Sequence, residues 1–448
     1  MNYRYPAKHT EKATDLYELR LTWLNDPDIQ ASAVESVEVR LNASLYRCDN
    51  VLHSAEPAQT NTQPQKKKEP SKETECFVFL ASHINANQPD TSAAGYDLAY
   101  QWLALDQNKS AAAEVALSLY PDADHTRLLK LYDEQEILRP ALLRLFRKQM
   151  QTLPLAMVSA AATAESSSAA LKIEALNYAA ANPEIGLDLF RSHYVPLLSG
   201  RTQFEANIIE AALWGGMVRT DPDATKAIGA ALGHAGAALG HAGAATDHAK
   251  LMRLAALTGS SDFLPLLLMA AENSPDTGYP LLVLFGQKSV MPEILKGLEA
   301  AYTMEQAAAA FAKLTDKILP RVPRLTVVGE ETDDADASEQ IPDIKAARAW
   351  WDKHQANWKN DERWLFGKPA TSANLTSLSK KHAGSFGRDV LALLQLSNKA
   401  PLNIPTDIWR ARQTQLLDAQ LNKKSTAKQN AKPALIKQAS KPASARHA

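Results

Sequence analysis

Apolar residues in the first 55 positions recur three and four apart. In "TDLYELRLTWLNDPDIQASAVESVEVRLNASLYRCDNVL" they fall at Leu16, Leu19 and Trp23, and again at Val34, Val37, Leu41 and Leu45. Such spacing lines one face of an α-helix, and the Asn25-Asp26-Pro27 breaker divides the stretch into two amphipathic helices. Residues 56–75 then turn polar, with "QPQKKKEPSKE" and no run of large apolar side chains. A chain that cannot bury apolar surface does not repay its ordering entropy, so this segment reads as a disordered linker.

Residues 76–320 are rich in Ala and Leu with short interruptions, and Val/Ile/Thr alternation never holds for long. The expectation is an all-α region. Its clearest feature is an internal echo. "LAALTGSSDFLPLLLMAAE" (Leu254 to Glu272) superimposes without gaps on "LLVLFGQKSVMPEILKGLE" (Leu281 to Glu299), a period of 27 residues that matches Gly259 to Gly286 and Pro265 to Pro292. "LLRLFRKQMQTLPLAMVSAA" (Leu142 to Ala161) repeats the unit with one extra residue before Pro154. Less regular copies are expected around 117–131, 176–190, 213–232 and 307–319. In each unit a helix ends on a Gly in the left-handed region and a Pro opens the next helix, where its missing N–H costs nothing. Helix pairs this small cannot bury their own apolar faces and must stack on their neighbours, so the pattern predicts an α-solenoid.

Residues 321–343 contain the acidic "VVGEETDDADASEQ", read as a solvated linker. Residues 344–420 are expected to form a Trp-rich helical C-terminal cap, since five of the eight tryptophans lie there. Residues 421–448 carry basic side chains and no acidic ones from Lys423 onward, and read as a disordered tail.

The echoing units resemble HEAT repeats. The segment from Ile344 to Leu417 resembles the closing module of a proteobacterial family of HEAT-like repeat proteins, through Trp350, Trp351, Trp358, Arg363, Gly367, Pro369, Trp409, Arg412 and Gln413. The N-terminal helices resemble that family too. The family brings no biochemical activity; its genes often lie near type VI secretion clusters, which implies an adaptor or chaperone for a spike component or effector. The polar insert before Cys76 and the "GAALGHA" duplication depart from the family pattern.

Composition narrows the chemistry. With 49 Lys+Arg against 50 Asp+Glu the chain is globally neutral, which argues against a dedicated nucleic-acid binder. Cys48 and Cys76 are too few and too far apart for a disulfide framework or a zinc site, and a reducing, cytoplasmic setting fits them. The apolar runs fall short of the roughly 20 residues of a membrane span. "GAALGHAGAALGHAGAATDHA" repeats a seven-residue unit and spaces His234, His241 and His248 evenly. On one helix they would stand about 10 Å apart, too far for one ion to bind two of them. The stretch reads as a tandem duplication in a loose helix or helix connection. Ser377 and Lys380 have the S-x-x-K spacing without its S-D-N and K-T-G companions, "HAGSFG" reads as a turn, and the Glu330 to Asp336 cluster lacks the order of a Ca²⁺ loop.

No catalytic, cofactor or metal constellation is expected. The residues singled out for binding a partner protein are Trp350, Trp351, Trp358, Arg363, Trp364, Trp409 and Arg410, because Trp and Arg dominate interface hot spots. The alternative use of the same tryptophans is a small core that docks the cap. The expected function is a non-enzymatic scaffold that binds a secretion component, with an immunity protein that covers a toxin, or a DNA-processing HEAT-like protein, as alternatives.

Overall fold

The computed structural model describes residues 6–52, 72–86, 89–122, 126–200, 204–237, 244–323, 340–398 and 401–422. Among these the chain is mostly helical. It divides into two compact units: residues 1–153, 380–388 and 402–448 form the first, and residues 154–379 and 389–401 the second.

In the first unit, helices α1 (Pro6–Asn25) and α2 (Ala31–Leu52) pack against each other. They are the two N-terminal helices that the apolar spacing predicts. Val34, Val37, Leu41 and Leu45 are all buried on the inner face of α2, and Leu16 is buried on α1. Helix α3 (Glu73–Ile84) opens within the expected 56–75 linker and buries Phe77 against Tyr17, with ring centroids 3.9 Å apart. Helices α4 (Pro89–Trp102), α5 (Gln107–Leu119), α6 (Thr126–Glu134) and α7 (Arg139–Gln149) follow. The Asp106 carboxylate caps α5 by accepting from the Asn108 and Lys109 amides.

In the second unit the helices pack in sequential pairs. The pairs are α8 (Leu155–Thr163) with α9 (Ala169–Ala181), then α10 (Asp188–Leu198) with α11 (Ala206–Val218). Next come α12 (Pro222–Ala237) and α13 (Ala244–Thr258), α14 (Leu264–Asn273) and α15 (Pro275–Phe285), and α16 (Met291–Gly297) and α17 (Met304–Thr315). Helices α9, α11, α13, α15 and α17 each pack on the next of that series, and α8, α10 and α12 do likewise. The 27-residue echo is visible as geometry. Helix α13 ends at Gly259 (φ +68°), a 3-10 turn follows, and α14 opens with Pro265 in its first turn. Helix α15 ends at Gly286 (φ +66°), with the same turn and Pro292 opening α16. In the third copy Met150 takes the left-handed position after α7, and Pro154 caps α8.

Two short hairpins interrupt the helices, where the sequence predicts an unstructured linker and a purely helical cap. Strand β1 (Arg321–Pro323) pairs antiparallel with β2 (Gln340–Pro342). After α18 (Ile344–His354), β3 (Trp364–Leu365) pairs antiparallel with β4 (Lys368–Pro369). Helices α19 (Ser372–Lys381) and α20 (Gly384–Ser397) and a last helix over 410–422 complete the chain. "HAGSFG" therefore opens α20, with Gly384 at φ +62°, and is more than a turn. The 344–420 stretch, expected as one module, is divided: 344–379 and 389–401 fall in the second unit, 380–388 and 402–420 in the first. The Glu330 to Asp336 cluster and most of the basic tail lie outside the described residues.

Candidate functional site

The tryptophans of the second unit form a core. Trp351, Trp358 and Trp364 are buried, and Trp350 is half-buried. Trp351 meets Trp358 edge-on with centroids 5.3 Å apart, and Trp358 stacks on Trp364 at 4.7 Å and 10°. Trp350 lies edge-on to Phe311 of α17 at 5.6 Å and stacks on its own His354. Asp343 starts this helix by accepting from the Ala346 amide. Three of the rings singled out for a partner thus spend their surface inside the chain.

Arg363 and the hairpin after it perform a specific task. The last carbonyls of an α-helix have no partner within the helix and carry its negative partial charge. Residues 363–367 form a strap that serves those carbonyls on three helices in turn. Arg363 Nη2 donates to the Ala256 and Leu257 carbonyls at the end of α13, and its Nε donates to Phe285 of α15 at 3.2 Å. The Trp364 amide donates to Gly286 at 2.7 Å, and the amides of Phe366 and Gly367 donate to Lys313 and Leu314 of α17 at 2.7 and 2.8 Å. Desolvation pulls the Arg363 pKa down to about 10, which leaves it charged at neutral pH. Glycine is required along this seam. A Cβ on Gly367 would lie 2.8 Å from the Thr315 carbonyl oxygen, and one on Gly259 would lie 2.5 Å from Arg363 Nη2.

Trp409 and Arg410 belong to the first unit, so the seven candidate residues split into two groups. The buried Arg410 takes part in a charged network: its amide donates to Glu38 Oε2 at 2.6 Å, and its guanidinium donates to Gln413. Glu38 also accepts from Arg20 Nε at 2.8 Å, with both side chains almost wholly buried. Arg20 reaches the Asp407 and Ile408 carbonyls and lies 5.2 Å from the Trp409 ring centroid. Burial pushes the Glu38 carboxyl above its usual range despite Arg20, and burial lowers Arg410. Gln413 closes its own turn on the Pro405 carbonyl, and Arg412 donates to Ser118. The residues that carry the family resemblance in this region are structural ties.

Next to Arg363 the second unit holds a cavity of about 440 Å³. Leu257, Leu375, Leu393 and Leu396 supply apolar wall, and Thr220, Thr225 and Ser397 supply hydroxyls. Asp221 also lines it, with its carboxylate already engaged by the Tyr194 hydroxyl, the Asp223 amide at 3.2 Å and Arg191 at 3.8 Å. None of these positions except Arg363 was singled out by sequence, because the cavity is assembled from helices far apart in the chain.

The other candidates separate plainly. Cys48 and Cys76 are buried thiols, and burial raises the pKa of each, the opposite of nucleophile activation. Lys380 pairs with Asp418 at 2.6 Å, which occupies the lysine of the S-x-x-K spacing. His248 is half-buried, its Nδ1 has no hydrogen-bond partner among the described residues, and burial lowers its pKa. His241 and the His234 side chain lie outside the described residues. Among the described residues no group of His, Cys, Asp and Glu gathers as a metal site, and no helix is long and apolar enough to cross a membrane. Neither a family model, nor a curated protein, nor a solved structure matches this chain.

Proposed function

We propose that this protein is a HEAT-like helical-repeat scaffold that binds another protein and acts without chemistry of its own. The observation that carries the reading is the succession in the second unit. Helices α9, α11, α13, α15 and α17 lean one on the next, with α8, α10, α12, α14 and α16 alternating between them. The junctions α13–α14 and α15–α16 share one turn geometry, at Gly259 and Gly286. Repeats of this kind present extended surfaces, and partner binding is their usual employment. The type VI secretion setting rests on the sequence resemblance, and the cytoplasmic location on the two widely separated cysteines, Cys48 and Cys76, which suit a reducing compartment. On that reading the partner is a spike component or an effector.

The test is co-purification of the tagged full-length chain from cells that express the neighbouring genes. The expected result is a stoichiometric complex with a secretion spike component or effector. A complex with a toxin whose host is poisoned when this gene is deleted would assign the immunity role instead. Salt-dependent DNA binding with no protein partner would overturn both.

A further inference from the structure

We propose that the cavity beside Arg363 binds a carboxylate that carries an aliphatic tail. The argument starts from hydrogen-bond accounting. A guanidinium has five N–H donors and no acceptor. Nε and Nη2 of Arg363 serve the ends of α13 and α15, whereas Nη1 has no acceptor among the described residues and Arg363 lines the cavity. No carboxylate of the described residues forms an ion pair with it. Asp221, the acid that lines the same cavity, is held by Tyr194 and Arg191.

The remaining lining decides the rest of the ligand. The hydroxyls of Thr220 and Thr225 have no partner within the described residues and can donate to an anion's second oxygen. Leu375, Leu393 and Leu396 offer a wall that a fully polar ion would leave unused. One guanidinium with no lysine or second arginine in the lining suits a single negative charge better than a phosphate dianion. The volume lies within the range of small-molecule sites, roughly 300–1,000 Å³. The same chemistry could arrive as a free short-chain fatty acid or as the C-terminus of an apolar peptide. This site is independent of the scaffold role and stands or falls separately from it.

The experiment is isothermal titration and thermal melting of the full-length protein with octanoate, octanol, acetate and N-acetyl-leucyl-leucine. Octanoate or the dipeptide is expected to bind and raise the melting temperature, and octanol and acetate to bind about tenfold more weakly or not at all. The stronger of the two carboxylates names the source. Arg363 also holds the helix ends, so the site is blocked from its rim instead: Leu396→Trp or Ser397→Trp, whichever keeps the wild-type melting temperature, should weaken carboxylate binding at least about tenfold. Absence of binding by both carboxylates, equal binding of octanol and octanoate, or undiminished binding in the folded rim variants would each overturn the assignment.

Discussion

Both units take an arginine out of water, Arg20 fully and Arg363 in part, and they neutralise it in opposite ways. In the first unit Arg20 meets a full charge, the Glu38 carboxylate at 2.8 Å, deep in the core. In the second, Arg363 meets no carboxylate among the described residues; it is held by the carbonyls of Ala256, Leu257 and Phe285, the spent ends of α13 and α15. An ion pair taken out of water is costly unless both partners stay, so its members depend on each other. A cation placed on helix C-termini needs no acidic partner, because the aligned peptide dipoles supply the opposing charge. The first arrangement fixes one pair of helices and the terminal segment at residues 407–410. The second ties α13 to α15 through the unpaired carbonyls at the end of each.

The contrast is sharpest in the response to truncation. Glu38→Ala leaves Arg20 charged and buried, and should cost about 3–5 kcal/mol in urea unfolding. Replacing Arg20 and Glu38 together by Met and Leu should recover most of that loss, which a mere packing role would not allow. Arg363→Ala removes a charged donor from three carbonyls and should cost about 2–4 kcal/mol. There the loss should appear as faster hydrogen exchange at the ends of α13 and α15, with α1 and α2 unchanged. If Arg363→Ala destabilised the first unit instead, the comparison would fail.

Two smaller effects refine it. Gly286→Ala places a Cβ at φ +66° and 3.1 Å from the Trp364 carbonyl oxygen, and should cost about 1–2 kcal/mol. Asp316→Gly relieves a non-glycine residue at φ +60° after α17 and should gain about 0.5–1 kcal/mol, measured by the same unfolding curve. Acid distinguishes the units in a further way. Burial raises the Glu114 carboxyl, yet hydrogen bonds from Arg144 and the charge of Lys148 outweigh it and hold the carboxyl below its usual 4.5. Its stabilisation is therefore complete above that value and is lost as pH falls through the lower folded value. Burial and then Lys148 act on Asp407 with the same outcome. Glu38 opposes them, because its raised folded value makes its contribution decline as pH rises. Arg363 stays protonated across this window, so its tie should not change between about pH 4 and 8. Glu114→Gln should flatten the acid limb of the first unit at a cost of about 1–2 kcal/mol at neutral pH, read by a pH series of denaturant melts.

What could be read from sequence follows the same division. Local signals were visible: the α2 stripe of Val34, Val37, Leu41 and Leu45, the helix break at Pro27, and the Gly-then-Pro turn at 259–265 and 286–292. The same left-handed turn also occurs after α7, α11 and α17, where Met150, Thr220 and Asp316 occupy it. Tertiary packing there overrides the preference for glycine, so these helix ends leave no glycine signal in the sequence. The strap at 363–367 was invisible as a strap. Its strands are two residues long, too short for an alternation pattern, and its partners lie up to 107 residues away. Arg20 was passed over for the same reason, since the carbonyls it holds are 387 and 388 residues distant. The tryptophans were noticed as a group, but which of them face inward is set by Phe311 and by each other, and no spacing rule records that.

Amide hydrogen exchange at the strap tests the central claim most directly. If residues 363–367 close the ends of α13, α15 and α17, the amides of Trp364, Phe366 and Gly367 should be protected as long as the interior of α15. Exchange of these three amides at the rate of an exposed loop, with α15 itself protected, would contradict the account.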